Sequence, residues 1–283
     1  MEFESIKYEV EDRIATLTLN RPEKLNAISG EMTSEILEAF DMADSDDEVR
    51  VLIMTGAGRG FCAGADLSGG GWAAPEARAS LTEKHQDGGG IVSLRIFNMI
   101  KPVIGAINGA SVGMGLTMTL PMDVRIASET AKMGLVFTRR GIIPDGCATW
   151  FLSRIVGVSQ AMEWIMTGRV FQAEEALAAG LVSRVVPADE LLPTARAVAA
   201  EIADNTSAIS IALSRQMLYR MLGADHPMEA NKIESKYLPF MFRSSDCEEG
   251  VNSFLEKRPP DFKMKPSKDM PDSYPWWDEP IFD

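Results

Sequence analysis

Hydrophobic and polar positions alternate over residues 13–20, with Ala15, Leu17 and Leu19 on one side and Ile14, Thr16 and Thr18 on the other. A period of two predicts a strand, and Asn20-Arg21-Pro22 closes it. Met32, Ile36, Phe40 and Ala43 then recur at helical spacing behind Ser29, a suitable N-cap. Residues 51–55 form a short apolar run that ends in Gly56-Ala57-Gly58-Arg59-Gly60. A second such run, 103–107, leads into Gly109, Gly113 and Gly115, and a third, 116–122, ends at Pro121 and Asp123. The pattern predicts a buried strand, a glycine turn and a helix. Residues 103–122 carry no charge, as a membrane span would, but Asn108, Ser111, the glycines and Pro121 argue against one.

Downstream, residues 141–144 lead into Asp145 and an apolar run that stops at Val156-Gly157. Ser159 is a candidate cap for a helix carrying Met162, Ile165 and Met166, closed by Gly168. A short helix is expected at 174–179, stopped by Gly180, and a strand at 181–186. The rest reads as helical over 191–203, 207–222, 228–242 and 247–256, with Ser245 and Glu248 as a capping box for the last. Three regions follow: a core over 1–204, a helical region over 205–258, and an arm over 259–283. Six prolines with Tyr274, Trp276, Trp277 and Phe282 are unusual for a disordered tail, so the arm is expected to lie across a neighbouring subunit. Residues 68–90, with two glycine triplets, read as a surface segment holding a short helix.

With 41 acidic against 28 basic residues the net charge is −13, which disfavours a nucleic-acid or anionic-membrane partner. Cys62, Cys147 and Cys247 are odd in number and widely spaced, so neither a disulfide framework nor a metal site is expected. An acidic N-terminus without an apolar core points to the cytoplasm. His85 in the glycine-rich segment is expected to be solvated, and His226 before Pro227 to cap a helix.

Chemistry concentrates on the central glycines. The first amides of a helix lack partners and can face a ligand. No phosphate-loop lysine follows, and the spacing is not that of a dinucleotide fingerprint. The expected guest is a carbonyl oxygen that becomes negative during reaction.

The stretch A-I-N-G-A-S-V-G-M-G at 106–115 resembles the crotonase (enoyl-CoA hydratase/isomerase) superfamily, with methionine at the middle glycine. The resemblance extends from L-N-R-P-E-K-L-N-A-I at 19–28, through G-F-C-A-G-A-D-L at 60–67, to F-L-E-K-R-P at 254–259. It implies an α/β spiral of β-β-α units, a C-terminal helical region that builds a homotrimer or a dimer of trimers, and an acyl-CoA thioester substrate. Coenzyme A then enters as part of the substrate, and no separate cofactor is implied. The backbone amides of Ala65 and Met114 would hold the thioester oxyanion, with Gly113 in the same turn. Ala63, Asp66 and Leu67 match the loop whose backbone receives the adenine, Lys24 matches a basic residue near the coenzyme A phosphates, and Lys257 matches one that would reach the nucleotide from a neighbouring subunit. The two glutamates of the hydratases fall here at Thr117 and Phe137, and neither can move a proton from carbon at neutral pH.

Asp145, in I-I-P-D-G, stands where some relatives carry an acid. It reads either as the single acid–base group or as the N-cap of the following helix. The first suits isomerisation of an enoyl-CoA better than hydration. A hydrolase or dehalogenase using Asp145, and a non-catalytic acyl-CoA binder, remain the alternatives. Met114, Met118, Met133, Phe137 and Trp150 suit either an apolar acyl pocket or ordinary packing. Cys62 has no histidine nearby in sequence to activate it, and its expected role is packing.

Overall fold

Asp12 and Arg13 both have positive φ, 51° and 62°, as a tight hairpin turn requires. They fold β1 (Ile6–Glu11) back on β2 (Ile14–Leu19). β1 is not among the expected elements, although Ile6, Tyr8 and Val10 alternate with the exposed Lys7, Glu9 and Glu11 as a half-buried edge strand does. The computed structural model describes residues 3–75, 79, 82 and 85–282.

From β2 onward the large sheet is parallel: β3 (Val51–Gly56), β5 (Val103–Ile107), β7 (Val124–Ser128) and β10 (Arg184–Val186) add in turn, in the order β1-β2-β3-β5-β7-β10. Each of β3, β5 and β7 is followed within a few residues by a short strand of a second sheet: β4 (Gly60–Cys62), β6 (Ala110–Val112) and β8 (Lys132–Gly134). These pair in parallel, and β9 (Val170–Gln172) closes the sheet antiparallel to β8. The result is the expected spiral, with one long and one short strand per turn.

Parallel strands covered on both faces need apolar residues throughout. Val51 to Met54 and Val103, Ile104, Ala106 and Ile107 are accordingly fully buried. Alternation then divides them between two cores. Leu52, Met54, Val103 and Ile107 face the main core with α1 (Gly30–Ser45), whereas Val51, Ile53, Ile104 and Ala106 face the other side. There the helix Leu191–Asn205 covers them with Leu191, Ala195, Ala199 and Ala203, small side chains that let it approach closely.

The helices in chain order are α1, α2 (Gly88–Asn98), α3 (Met114–Thr117), α4 (Ala148–Val156), α5 (Val158–Thr167), α6 (Ala173–Ala178), α7 (Leu191–Asn205), α8 (Ala208–Arg220), α9 (Met228–Phe242), α10 (Ser245–Glu256) and α11 (Pro266–Asp269). Ser29 caps α1 through the Met32 amide at 3.2 Å, and His226 Nδ1 accepts from the Met228 amide, both as expected. Other expectations change. The helix after the glycines is one turn long, and β6 precedes it; a run buried on every side has no periodicity from which to read its type. Ser159 caps nothing: α5 starts directly after Gly157, whose φ of +78° turns the chain out of α4. The strand at 181–186 is only β10, because Leu181 and Val182 turn inward to the core. Ser244, not Ser245, caps α10 by accepting from the Cys247 amide at 3.1 Å, so Glu248 is not the box partner. The short helix expected within 68–90 falls partly outside the described residues; within them Pro75 and Ala79 are helical, between a 3-10 turn, Ser68–Ala73, and the start of α2.

The boundary expected near Asp204 coincides with the end of α7, but the helices beyond it are tied to the core. Arg215 on α8 is buried, pairs with Asp123 at 2.9 Å, and donates to the carbonyls of Ile96 and Phe97 at the end of α2. The arm packs on its own chain rather than only reaching outward. Tyr274 and Trp276 join Ile209, Leu213 and Tyr237 in a third core, and Arg220 lies 3.9 Å from the Trp277 ring centre while pairing with Glu279. Among the described residues no helix is long and apolar enough to cross a membrane.

Candidate active site

Two backbone amides define the centre. Ile28 and Ala65 form an isolated parallel bridge in which Ile28 donates to Gly64 O at 2.8 Å and Asp66 donates to Ile28 O at 2.8 Å. That pattern turns the Ala65 N–H away from the bridge. Met114 is the first residue of α3, so its N–H lies beyond the reach of the helix's own carbonyls. Among the described residues neither amide has an acceptor. Gly64 brings them together: its φ is +94°, and a Cβ there would lie 2.8 Å from Val112 O and 3.7 Å from the Met114 nitrogen. A side chain at Gly64 would force the two turns apart.

Methionine at position 114 does not disturb this arrangement. The positive φ of the turn, 56°, belongs to Gly113, while Met114 is helical and its side chain is buried in the main core. The Phe137 ring covers the same turn, its Cζ 3.9 Å from where a Gly113 Cβ would stand.

One helical turn beyond Met114, the fully buried Thr117 donates its hydroxyl to Asp145 Oδ1 at 2.6 Å. The Asp145 side chain does not cap α4. Cys147, in a left-handed conformation, occupies the N-cap position and makes no side-chain capping bond. Asp145 instead leans toward the first turn of α2, where its Oδ2 lies 3.2 Å from the position of a Gly89 Cβ. Gly146 permits the approach: its φ is +62°, and a Cβ would lie 2.6 Å from Thr117 Oγ1 and 3.2 Å from Ser93 Oγ. Burial pushes the Asp145 carboxyl up to about 6; the Thr117 hydroxyl opposes that rise and the nearby Asp87 charge adds to it.

Asp87 and Ser93 escaped the sequence reading. Asp87 caps α2, accepting from the Gly89 and Gly90 amides at 2.9 and 2.7 Å, and also accepts from the Gly146 amide at 2.9 Å. An aspartate before a helical run is a capping signal, but the glycine triplet after it reads as loop. Ser93 is fully buried with no partner for its hydroxyl among the described residues. No local signal marks it.

The structure therefore brings Ala65, Gly113, Met114, Thr117, Phe137 and Asp145 into one group. Ala63 and Asp66 continue the same loop, and Leu67 is 45% exposed at its end. Lys24 Nζ and the Arg21 guanidinium both reach Asp66 Oδ2, at 3.0 and 2.9 Å. Hydrogen bonds from Ser68, then Lys24 and Arg21, hold that carboxyl well below the usual carboxylate range. Lys257 is elsewhere, exposed at the left-handed end of α10, and among the described residues no hydrogen bond or ion pair joins it to this group. Met118 and Met133 are fully buried core residues. Cys62 is also buried, and its thiol is pushed up to about 12 by burial, which fits packing. Among the described residues no cluster of His, Cys, Asp or Glu could hold a metal ion.

Two free amides beside a half-buried carboxyl can stabilise an oxyanion while a proton moves nearby. A family model for enoyl-CoA hydratase/isomerase matches residues 9–265. An enoyl-CoA hydratase of Alternaria alternata is 42% identical over 253 residues, covering 89% of this chain and 83% of that one. The 1,2-epoxyphenylacetyl-CoA isomerase of Escherichia coli is 35% identical over 275 residues, covering 94% and 100%. Among solved structures, an enoyl-CoA hydratase of Bacillus anthracis superposes with a TM-score of 0.82 at 32% identity, over 92% of this chain and 99% of that one.

Proposed function

Because the chain belongs to the enoyl-CoA hydratase/isomerase family, we propose that it moves a double bond in an acyl-CoA thioester, with Asp145 as the single acid–base group. The thioester oxygen sits between the Ala65 and Met114 amides. Asp145 takes a proton from a carbon conjugated with the thioester, and the electron pair of that C–H bond passes to the oxygen as an enolate. The enolate re-forms the carbonyl as Asp145 returns the proton to a different carbon, so the double bond has moved and no atom is gained or lost.

The observation that carries this reading is the Asp145 carboxyl itself. It is held by Thr117 one helical turn from Met114, and burial raises it to about 6. A group titrating near neutrality serves both as base and as conjugate acid. Thr117 and Phe137 are a hydroxyl and a hydrocarbon, so neither supplies a second proton-transfer group, and isomerisation is favoured over addition of water. Coenzyme A phosphates would have to draw Lys24 away from Asp66, its present partner. The exposed Phe242, Phe254 and Leu255 support assembly of several copies through the C-terminal helices.

The test is deuterium exchange into a bound panel of acyl-CoA thioesters in heavy water. Exchange beside or conjugated with the thioester is expected in the native protein, falling about 10²–10⁴-fold in Asp145→Asn. Equal exchange in both would remove Asp145 from the chemistry. Binding without exchange in the native protein across the panel would make it a binder instead.

A further inference from the structure

Asp145 reaches the site on a short connection between the 3-10 turn Thr138–Arg140 and α4, and something must fix that connection against α2. Thr117 holds only the end of the side chain. The backbone is held from the other side. Asp87 Oδ1 accepts from Gly89 and Oδ2 from Gly90, as an N-cap does, but Oδ2 also accepts from the Gly146 amide, the peptide that joins Asp145 to Gly146. One carboxylate thus locks the first turn of α2 to the backbone bearing Asp145. The two acids are also close: the position of a Gly89 Cβ lies 3.2 Å from Asp145 Oδ2 and 3.3 Å from Asp87 Oδ1, so the oxygens are no further apart than those distances together.

Resting on the acid–base reading of Asp145, we propose that Asp87 is its positioning residue, a clamp on the Asp145–Gly146 peptide and a fixed negative charge beside the Asp145 carboxyl. Asp87 accepts from three backbone amides, those of Gly89, Gly90 and Gly146. It opposes a second negative charge on Asp145, which favours the protonated form needed to return the proton. Among the described residues, the other titratable groups facing Asp145 are the Cys62 and Cys147 thiols, both pushed up by burial and so neutral at pH 7. Among the described residues, Asp87 is the charged group whose field acts on Asp145.

The experiment uses the full chain with Asp87→Asn and Asp87→Glu, and two readouts. The first is the titration of the Asp145 carboxyl by carbon-13 NMR of aspartate-labelled protein, assigned by its loss in Asp145→Asn. Asparagine caps a helix about as well as aspartate, so the fold is expected to survive. Removing the charge should lower the Asp145 midpoint by about half a unit or more, the value at this separation under water-like screening. Asp87→Glu, which keeps the charge, should leave the midpoint near the native one. The second readout is acyl-CoA turnover: Asp87→Asn should lower kcat about 10-fold or more with little change in KM, as misplacement of a reacting group does. An unchanged midpoint in Asp87→Asn, or an equal shift in both variants, overturns the proposal. If the midpoint moves as stated while the native protein neither turns over nor exchanges any acyl-CoA, the charge coupling stands and the acid–base reading of Asp145 is what fails.

Discussion

Replacing Asp145 by asparagine should make the protein's stability respond differently to pH, whether or not Asp145 performs chemistry. In the folded chain burial raises this carboxyl from 3.8 to about 6. Such a group favours the folded state when protonated, so its contribution is full below its unfolded value and is lost as pH rises through its folded value. A shift of that size corresponds to about 3 kcal/mol between the two limits. Between pH 8 and pH 4.5, a range short of both limits, about 2 kcal/mol of it should appear. Asparagine has no such titration. The absolute stability of Asp145→Asn also includes the new amide, whose N–H groups would meet the α2 turn, so the informative quantity is the change of the difference with pH. Urea unfolding of both proteins at several pH values and one protein concentration measures it. The native protein should gain about 2 kcal/mol relative to the variant as pH falls from 8 to 4.5. A difference that stays flat across that range would show that Asp145 titrates at its ordinary value, and the argument from burial would be wrong.

Thr117→Val keeps the volume but removes the hydroxyl that Asp145 accepts at 2.6 Å. Hydrogen bonds to charged groups contribute about 1.5–3 kcal/mol, so the Asp145 midpoint, read from the acid limb of the pH–rate profile or by NMR, should rise by about one unit or more; no rise would mean that this bond is not made in solution. Trp276→Ala removes a ring that packs on Tyr237 at 5.4 Å and on Trp277 at 4.8 Å, within the chain's own third core. It should lower unfolding stability by roughly 2 kcal/mol, below the usual cost for a fully buried aromatic because the residue is only partly buried. An unchanged thermal midpoint would place the arm elsewhere in solution.

The fold was legible where a side chain's environment repeats along the chain. Ala15, Leu17 and Leu19 face the main core together, and Met32, Ile36 and Phe40 do so on α1, because each element has one buried face. β1 carries the same period, Ile6, Tyr8 and Val10 alternating with Lys7, Glu9 and Glu11, and was legible in the same way. The pattern fails where burial is complete: the run from Leu116 to Met122 is buried on all sides and shows no period. Capping errors are of a second kind. Ser244 and Ser245 are adjacent with the same chemistry, and only the helix start chooses between them.

The candidate site divides along the same line. Gly113 and Met114 announce an amide turn locally, but its partner Ala65 arrives only because β4 and β6 pair in parallel, and that pairing joins residues about fifty positions apart. Asp145 was visible as an acid in a helix-starting context, a context that also describes a cap. What separates the two is Cys147 at the actual N-cap and Thr117 at the carboxyl, one a matter of backbone conformation and the other a contact across 28 positions. Asp87 shows the converse. Its local role as a cap is ordinary, and its bond to Gly146 spans 59 positions. A residue that satisfies a local rule completely can still be placed by a distant one, and a capping aspartate that accepts one amide more than its helix supplies is the mark of that second role.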